Sequence, residues 1–229
     1  MTPEARLFLF DIDGTLITSG GAGEGALIDA MRTRFGVSED LSGISLAGAT
    51  DAWIARLLLE KHGLPVTVEN QASLLDGYLH HLAERMPRHD GRVLPGILDL
   101  LEDLRGRPDA VVGLLTGNVR RGAEIKLRHY GVWEFFAFGA FADDHHDRNQ
   151  LGPFACQRAL EFHGAEFPPE RVFVIGDTPK DIACGKAIGA KTVAIATGHY
   201  AESDLASHAP DFLFADLRDT RAVLAALFA

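Results

Sequence analysis

The sequence predicts an α/β protein, a doubly wound parallel sheet with an inserted α-helical cap. Three observations predict it. Four short runs, Leu7 to Phe10, Val111 to Leu115, Val172 to Ile175 and Thr192 to Ala196, are apolar throughout and do not alternate. That is the pattern of parallel strands covered on both faces. Stretches of helical period lie between these runs, and strands alternating with helices imply helices packed on a parallel sheet. Between about residues 20 and 95 the alternation stops, and helical patterns follow one another with no convincing strand.

Taken in order, the first strand ends at Asp11. Gly23 to Phe35 opens the helical stretch; Trp53, Ile54, Leu57 and Leu58 mark a second helix ending near Gly63; Leu74, Leu75, Tyr78, Leu79 and Leu82 mark a third. Pro95-Gly96 starts a helix over Ile97 to Leu104 that returns the chain to the sheet. The remaining helices fall at Gly122 to Tyr130, Pro153 to His163, Asp181 to Ile188 and Thr220 to Leu227. Two further strands are expected at Phe212 to Phe214 and within Phe135 to Phe141. This divides the chain into a core domain, residues 1–18 and 92–229, and a helical cap, residues 19–91. The glycine-rich run Ser19 to Gly23 and the segment Arg88 to Gly91 are the expected hinges.

The 229 residues suffice for one core domain with a modest insertion, and 47% hydrophobic with 24% charged residues is ordinary globular usage. A net charge of −10 repels phosphate backbones and argues against nucleic acid as a partner. A protein of that charge that handles phosphate needs a metal, local basic side chains, or both. Cys156 and Cys184 lack metal or redox spacing and read as buried thiols of a reducing compartment. No apolar stretch approaches a membrane span. A cytoplasmic monomer or homodimer without membrane partners is expected.

In open α/β sheets ligands bind beyond the carboxyl ends of the strands, so the residues just past each strand are the candidates for chemistry. The first strand ends in Asp11-Ile12-Asp13-Gly14, two carboxylates pointing the same way before a residue that permits a sharp turn. The second ends in Thr116-Gly117-Asn118, a hydroxyl and backbone N–H groups at a helix mouth, a natural anion site. A plain turn and a plain N-cap explain either segment alone. A third ends in Gly176-Asp177-Thr178-Pro179-Lys180-Asp181. Carboxylates delivered to one sheet edge by Asp11, Asp13, Asp177 and Asp181 repel one another unless a cation sits among them. Oxygen-only donors suit Mg²⁺. The adjacent His145 and His146 read as solvated loop residues.

These segments, in this order and with the helical insertion after the first, resemble the motifs of the haloacid dehalogenase (HAD) superfamily over nearly the whole chain. The helical insert resembles the cap of phosphoglycolate phosphatase-like members. The resemblance implies a HAD-like Rossmannoid core and a phosphatase that forms an aspartyl phosphate. It implies Asp11 as nucleophile and Asp13 as general acid, then base. Mg²⁺ is held by Asp11, the backbone carbonyl of Asp13, and Asp177, with Asp181 as ligand or as orienter of metal-bound water. Thr116, Gly117 and Asn118 hold the phosphoryl oxygens.

One motif departs from the pattern. The Lys that the family places before the helix preceding the fourth motif is missing, and Arg148 is the best-placed cation, ahead of Lys126, which falls mid-helix. Lys180 reads as a solvated helix start.

The resemblance also narrows the reaction. An acid at Asp13 fits phosphate esters, where a leaving group needs a proton, and not dehalogenation. The loop Leu46 to Asp51, the expected specificity loop, has no Lys or Arg and reads as small and uncharged, which favours hydrolysis of a small phosphorylated metabolite, such as phosphoglycolate, over sugar phosphomutase chemistry. A phospho-receiver without turnover is the reading from another class.

Overall fold

The computed structural model describes residues 5–229; the first four positions of the expected 1–18 segment lie outside the described residues. The sheet has six parallel strands: β1 (Arg6–Phe10), β4 (Ala110–Leu115), β5 (Gly139–Ala140), β6 (Val172–Gly176), β7 (Lys191–Ile195) and β8 (Phe212–Phe214). They lie in the order β5-β4-β1-β6-β7-β8. β1 pairs with β4 on one side (Leu9 opposite Gly113) and with β6 on the other (Leu9 opposite Val174). The chain leaves β1 toward both edges, so the crevice above its carboxyl end is the topological switch point. Residues Leu7 to Phe10 are fully buried, as a strand covered on both faces must be. One apolar cluster packs Phe8, Phe10 and Ile175 under α4 (Ile97–Arg105), α5 (Arg120–His129) and α9 (Thr220–Leu227). The other face packs Leu7, Leu9 and Val174 against α6 (Leu151–His163) and Cys184 of α7 (Pro179–Ala187).

Residues 22–85 form α1 (Ala22–Phe35), α2 (Asp51–Lys61) and α3 (Val68–Arg85) around their own apolar cluster, which includes Ala26, Ala30, Leu58, Leu74, Tyr78 and Leu82. Helix α3 begins six residues before the first apolar marker because Thr67 accepts a hydrogen bond from Asn70 N (3.2 Å) and caps it.

The structure corrects the sequence reading in three places. A short antiparallel ribbon, β2 (Ile17–Thr18) with β3 (Arg92–Val93), ties together the two crossings, so the stretch to residue 95 does contain strand. A short helix, α8 (Glu202–Ala206), had no periodic signal. Cys184 is buried but Cys156 is only partly so. As expected, His145 and His146 are loop residues, the first partly exposed and the second exposed, and their rings stack with centroids 4.5 Å apart.

Candidate active site

Asp11 follows β1 and its N–H continues the ladder to Ile175 O (2.9 Å), which fixes the carboxylate over the sheet edge. The chain then turns at Gly14, φ 82°; a Cβ there would stand 2.3 Å from Asp177 Oδ2, so the bare backbone lets the turn close onto that carboxylate. Thr15 Oγ1 donates to Asp177 Oδ1 (3.2 Å), and Thr197 Oγ1 donates to Gly14 O (2.6 Å). Asp11, Asp177 and Asp181 are buried and offer one oxygen each within 4.8 Å of one another. Burial pushes the Asp11 carboxyl up, with Arg148 opposing; burial, reinforced by Asp181 and Asp11, pushes Asp177 up as well. Three carboxylates against one guanidinium is a buried charge deficit, and an all-oxygen donor set of this kind fits a hard divalent cation.

Arg148 lies in the short turn Arg148–Gln150 before α6, only 6% exposed. Its Nη2 pairs with Asp11 Oδ1 (2.9 Å) and with Asp181 Oδ1, and its Nη1 donates to Gly48 O (3.1 Å). The other oxygen of Asp181 accepts from Thr178 N (2.9 Å) and Thr178 Oγ1 (2.7 Å), the capping box of α7. Both oxygens of Asp181 are thus engaged by protein donors.

Asp13 stands apart from this trio. Its Oδ2 accepts from Lys126 Nζ (2.6 Å) and Asn118 Nδ2 (2.9 Å), and Lys126 also donates to Asn118 Oδ1 (2.7 Å). The structure therefore brings both candidate cations to the site, each on a different carboxylate: Arg148 on Asp11, Lys126 on Asp13. Lys126 reaches in because it shares the buried face of α5 with Gly122, Ala123 and Leu127. A lysine on that face is costly unless paired. Burial pulls its ammonium down, but Asp13, Tyr78 and Asp51 outweigh this and hold its pKa above the ordinary value.

A cavity of about 500 Å³ opens over these groups, lined by Asp11, Asp13, Gly117, Asn118, Lys126, Arg148 and Asp177. Thr116 and Asp181 are buried behind its wall, and Thr116 Oγ1 accepts from Asn118 Nδ2 (2.9 Å). The loop Leu46 to Ala49 forms part of the lining, as does Ser19. Lys180 is absent from the wall; Asp143 accepts from Arg120 N and Asp144 pairs with Arg158, both away from the reacting groups.

Sequence reasoning missed two residues. Asp51, at the start of α2, is buried; its N–H donates to Gly117 O (2.7 Å) and its Oδ2 accepts from Val119 N (2.8 Å). The loop is therefore not uncharged. Burial, with Lys126 opposing, pushes the Asp51 carboxyl up to about 6. Tyr78 of α3 also lines the cavity, and burial pushes its hydroxyl up. The signal for Asp51 was its place after the capping residue Thr50; Tyr78 was visible only as one of the apolar markers of its helix.

Comparison with known proteins places this geometry. A family model described as haloacid dehalogenase-like hydrolase matches residues 8–186. The N-acetylmuramic acid 6-phosphate phosphatase of Pseudomonas aeruginosa is 28% identical over 206 residues, covering 89% of this chain and 87% of that protein. Phosphoglycolate phosphatase 1 of the same organism is 28% identical over 234 residues, covering 93% and 78%. The crystal structure of a hydrolase from Pseudomonas syringae shares the fold with a TM-score of 0.74 at 22% identity, covering 96% of this chain and 98% of that one. That of CbbY from Rhodobacter sphaeroides, in complex with phosphate, does so with a TM-score of 0.74 at 19% identity, covering 94% and 96%.

Proposed function

Because the chain belongs to the haloacid dehalogenase-like hydrolases, we propose that it is a Mg²⁺-dependent phosphatase of a small phosphorylated metabolite that works through an aspartyl phosphate on Asp11. One observation carries this reading: the buried Asp11 carboxylate at the end of the central strand, paired with Arg148 and grouped with Asp177 and Asp181 under a metabolite-sized cavity.

An Asp11 oxygen attacks phosphorus and the bond to the leaving oxygen breaks. Asp13 gives that oxygen its proton. Asp13 then takes a proton from water, the water oxygen attacks phosphorus, and the bond to Asp11 breaks, which restores the Asp11 carboxylate and the proton on Asp13. Lys126 and Asn118 hold Asp13 in place for both transfers. Arg148 orients Asp11 and offsets charge on the transferring group, as do the backbone N–H groups of Gly117 and Asn118. Asp11 and Asp177, with the Asp13 carbonyl, are the residues to hold Mg²⁺; Asp181, engaged by Arg148 and Thr178, holds the arrangement in register. Bound there, Mg²⁺ supplies positive charge toward the phosphoryl oxygens. Residues 19–91 act as a cap that covers the cavity and excludes water, with the crossings beside the β2–β3 ribbon as hinges.

The names of the curated relatives support a small organic phosphate, with phosphoglycolate and a sugar-acid phosphate as leading candidates. The specificity loop presents a carboxylate, Asp51, and no cation, which supports hydrolysis over mutase chemistry. The test is a Mg²⁺-dependent release of phosphate from a panel that includes phosphoglycolate, sugar phosphates and nucleotides, with Asp11→Asn as control. Release that vanishes in the control is expected. No release from any member overturns the phosphatase reading, and a long-lived phosphoaspartate in its place points to a phospho-receiver.

A further inference from the structure

Near its end, helix α3 carries a second cluster of metal-ligating side chains that the proposed chemistry does not use. His80, His81 and Glu84 offer one donor atom each, all within 4.8 Å of one another. Their spacing is helical: Glu84 stands four residues after His80 and three after His81, so one turn brings both imidazoles to one carboxylate. His80 Nε2 lies 3.6 Å from Glu84 Oε1, and His81 Nδ1 lies 3.4 Å from Glu84 Oε2. Arg85, the adjacent cation, is turned away to Asp29 (2.7 Å), so it does not satisfy this carboxylate. None of the three residues lines the catalytic cavity.

The hydrogen bonds around His81 decide which of its nitrogens is free. Its side chain is only 15% exposed, and its Nε2 reaches α1, where it lies 3.0 Å from Thr33 Oγ1. Thr33 Oγ1 in turn lies 2.8 Å from Asp29 O, and a hydroxyl has a single hydrogen to give. Both contacts are hydrogen bonds only if Thr33 donates to Asp29 O and His81 Nε2–H donates to Thr33 Oγ1. In the neutral ring Nδ1 then carries a bare lone pair, and that lone pair faces the Glu84 carboxylate. Two acceptors in that position need a proton or a metal ion between them. An N–H anchored on an oxygen, with the other nitrogen left open, is how a protein orients a metal-binding histidine. The distances fit as well. Bonds of about 2.0–2.2 Å set neighbouring donors of a tetrahedral zinc ion ~3.3–3.6 Å apart, which matches both gaps to Glu84.

We propose that His80, His81 and Glu84 form a binding site for a divalent transition-metal ion of the zinc class, held by two imidazole nitrogens and one carboxylate with water completing its shell. Imidazole donors suit Zn²⁺, Ni²⁺ and Cu²⁺, whereas Mg²⁺ takes oxygen. The two clusters of the chain are therefore selective for different ions: Asp11 and Asp177 for the hard one, the α3 cluster for the borderline one. His80 and Glu84 are 64% and 51% exposed, so an ion enters from solvent and their side chains are free to adjust around it. His81 is the fixed point, held by Thr33. Because the ligands come from one helix and the anchor from α1, the ion fastens the end of α3 in the folded cap, and binding adds to the stability of the fold. The site stands apart from the phosphatase reading and does not depend on it.

The test titrates Zn²⁺ into the full chain by calorimetry with saturating Mg²⁺ present, which keeps the Asp11 site filled. One ion per chain is expected to bind with a Kd on the order of 10 µM, far weaker than a closed four-ligand site, and Mg²⁺ does not displace it. His80→Ala and Glu84→Gln, both at exposed positions where the fold is not at risk, each weaken Zn²⁺ by at least ~10-fold, no less than the loss of an orienting partner costs. Thr33→Val keeps the shape of the side chain and removes the oxygen that orients His81, and it weakens Zn²⁺ by about 10-fold. His146→Ala, in the stacked pair on the other side of the molecule's catalytic loop, leaves the affinity unchanged. In thermal unfolding, Zn²⁺ raises the midpoint of the parent and not that of His80→Ala. Four results overturn the proposal: no Zn²⁺ binding tighter than ~1 mM, one-for-one displacement by Mg²⁺, parental affinity in both His80→Ala and Glu84→Gln, or a loss in His146→Ala as large as that in His80→Ala. Parental affinity in Thr33→Val overturns the role given to His81 Nδ1.

Discussion

The two halves of the catalytic cavity are built on different principles. The sheet edge supplies Asp11, Thr116 and Asp177 from the ends of three neighbouring strands, the first two held by ladder hydrogen bonds and the third by Thr15 Oγ1. The helical segment supplies Asp51 and Tyr78 from helices that pack mainly on one another. In the first half, position in the sheet dictates where a side chain goes. In the second, a polar side chain reaches the site only because helix packing turns it inward. The sheet edge should therefore tolerate no substitution of its reacting groups, while the helical half should tune activity without abolishing it.

The largest effect that tests this contrast is Asp11→Asn. The strand stays buried and paired, so far-ultraviolet circular dichroism and the unfolding midpoint should change little, while kcat falls by at least ~10⁴ as the nucleophile is lost. A variant that keeps a tenth of its activity removes Asp11 from the nucleophile role. Metal removal comes next. Chelation should abolish turnover and added Mg²⁺ restore it, and Mg²⁺ at 100 times its Kd should stabilise the fold by about 2.7 kcal/mol in thermal unfolding. Turnover that persists after thorough chelation contradicts the assignment of Asp11 and Asp177 as ligands.

The two cations sharpen the comparison further. Arg148→Ala leaves Asp11 and Asp181 buried and uncompensated, so it should cost about 3–5 kcal/mol of stability and, with the lost hydrogen bonds to the transferring group, roughly 10³ in kcat. Lys126→Ala removes the partner of Asp13, which is half-exposed, and should cost about 10²-fold in kcat with a smaller loss of stability. Urea unfolding beside steady-state kinetics separates the two. Equal losses of stability would mean that the burial of Asp11 and Asp181 does not set the cost.

What could be read from the sequence divides along the same line. The strands were visible as apolar runs, and the residue after each run had to lie at the sheet edge, so Asp11, Asp13, Asp177 and the Thr116 segment were legible. Arg148 was legible only through the family resemblance, which calls for a cation just before the helix that feeds the next strand. Lys126 was placed second because it falls mid-helix after the second motif; its position among Gly122, Ala123 and Leu127 shows the buried face only once the helix is docked. The two-residue ribbon β2–β3 joins segments far apart in the chain and is too short to carry a period. Asp51 was hidden for a related reason: a carboxylate at a helix start is ordinary on a surface, and nothing local says that Val119 N and Gly117 O will be its partners.

Asp51 also yields the smallest and most specific test. Its carboxyl has a folded pKa of about 6 against an ordinary 3.8, chiefly because burial disfavours the charge. Between those values the folded chain binds a proton that the unfolded chain has released, so stability should decline as pH rises from about 4 to about 6. Asp51→Asn keeps an acceptor for Val119 N and removes the charge. Its stability should lose Asp51's share of this decline, keep the share that the raised Asp11 and Asp177 carboxyls give, and match or exceed that of the parent at pH 7, while kcat falls only several-fold. Asp51→Ala instead leaves the Val119 N–H buried without an acceptor, at a cost of about 1–3 kcal/mol, and loosens the loop that carries Asn118. Because Asn118 touches both Asp13 and Lys126, the Ala variant should lose about 10-fold in kcat with KM little changed. Equal kinetics for the Asn and Ala variants would assign Asp51 to the packing of its helix alone, and the helical half would then act on the site by shape and not through hydrogen bonds to the phosphoryl loop.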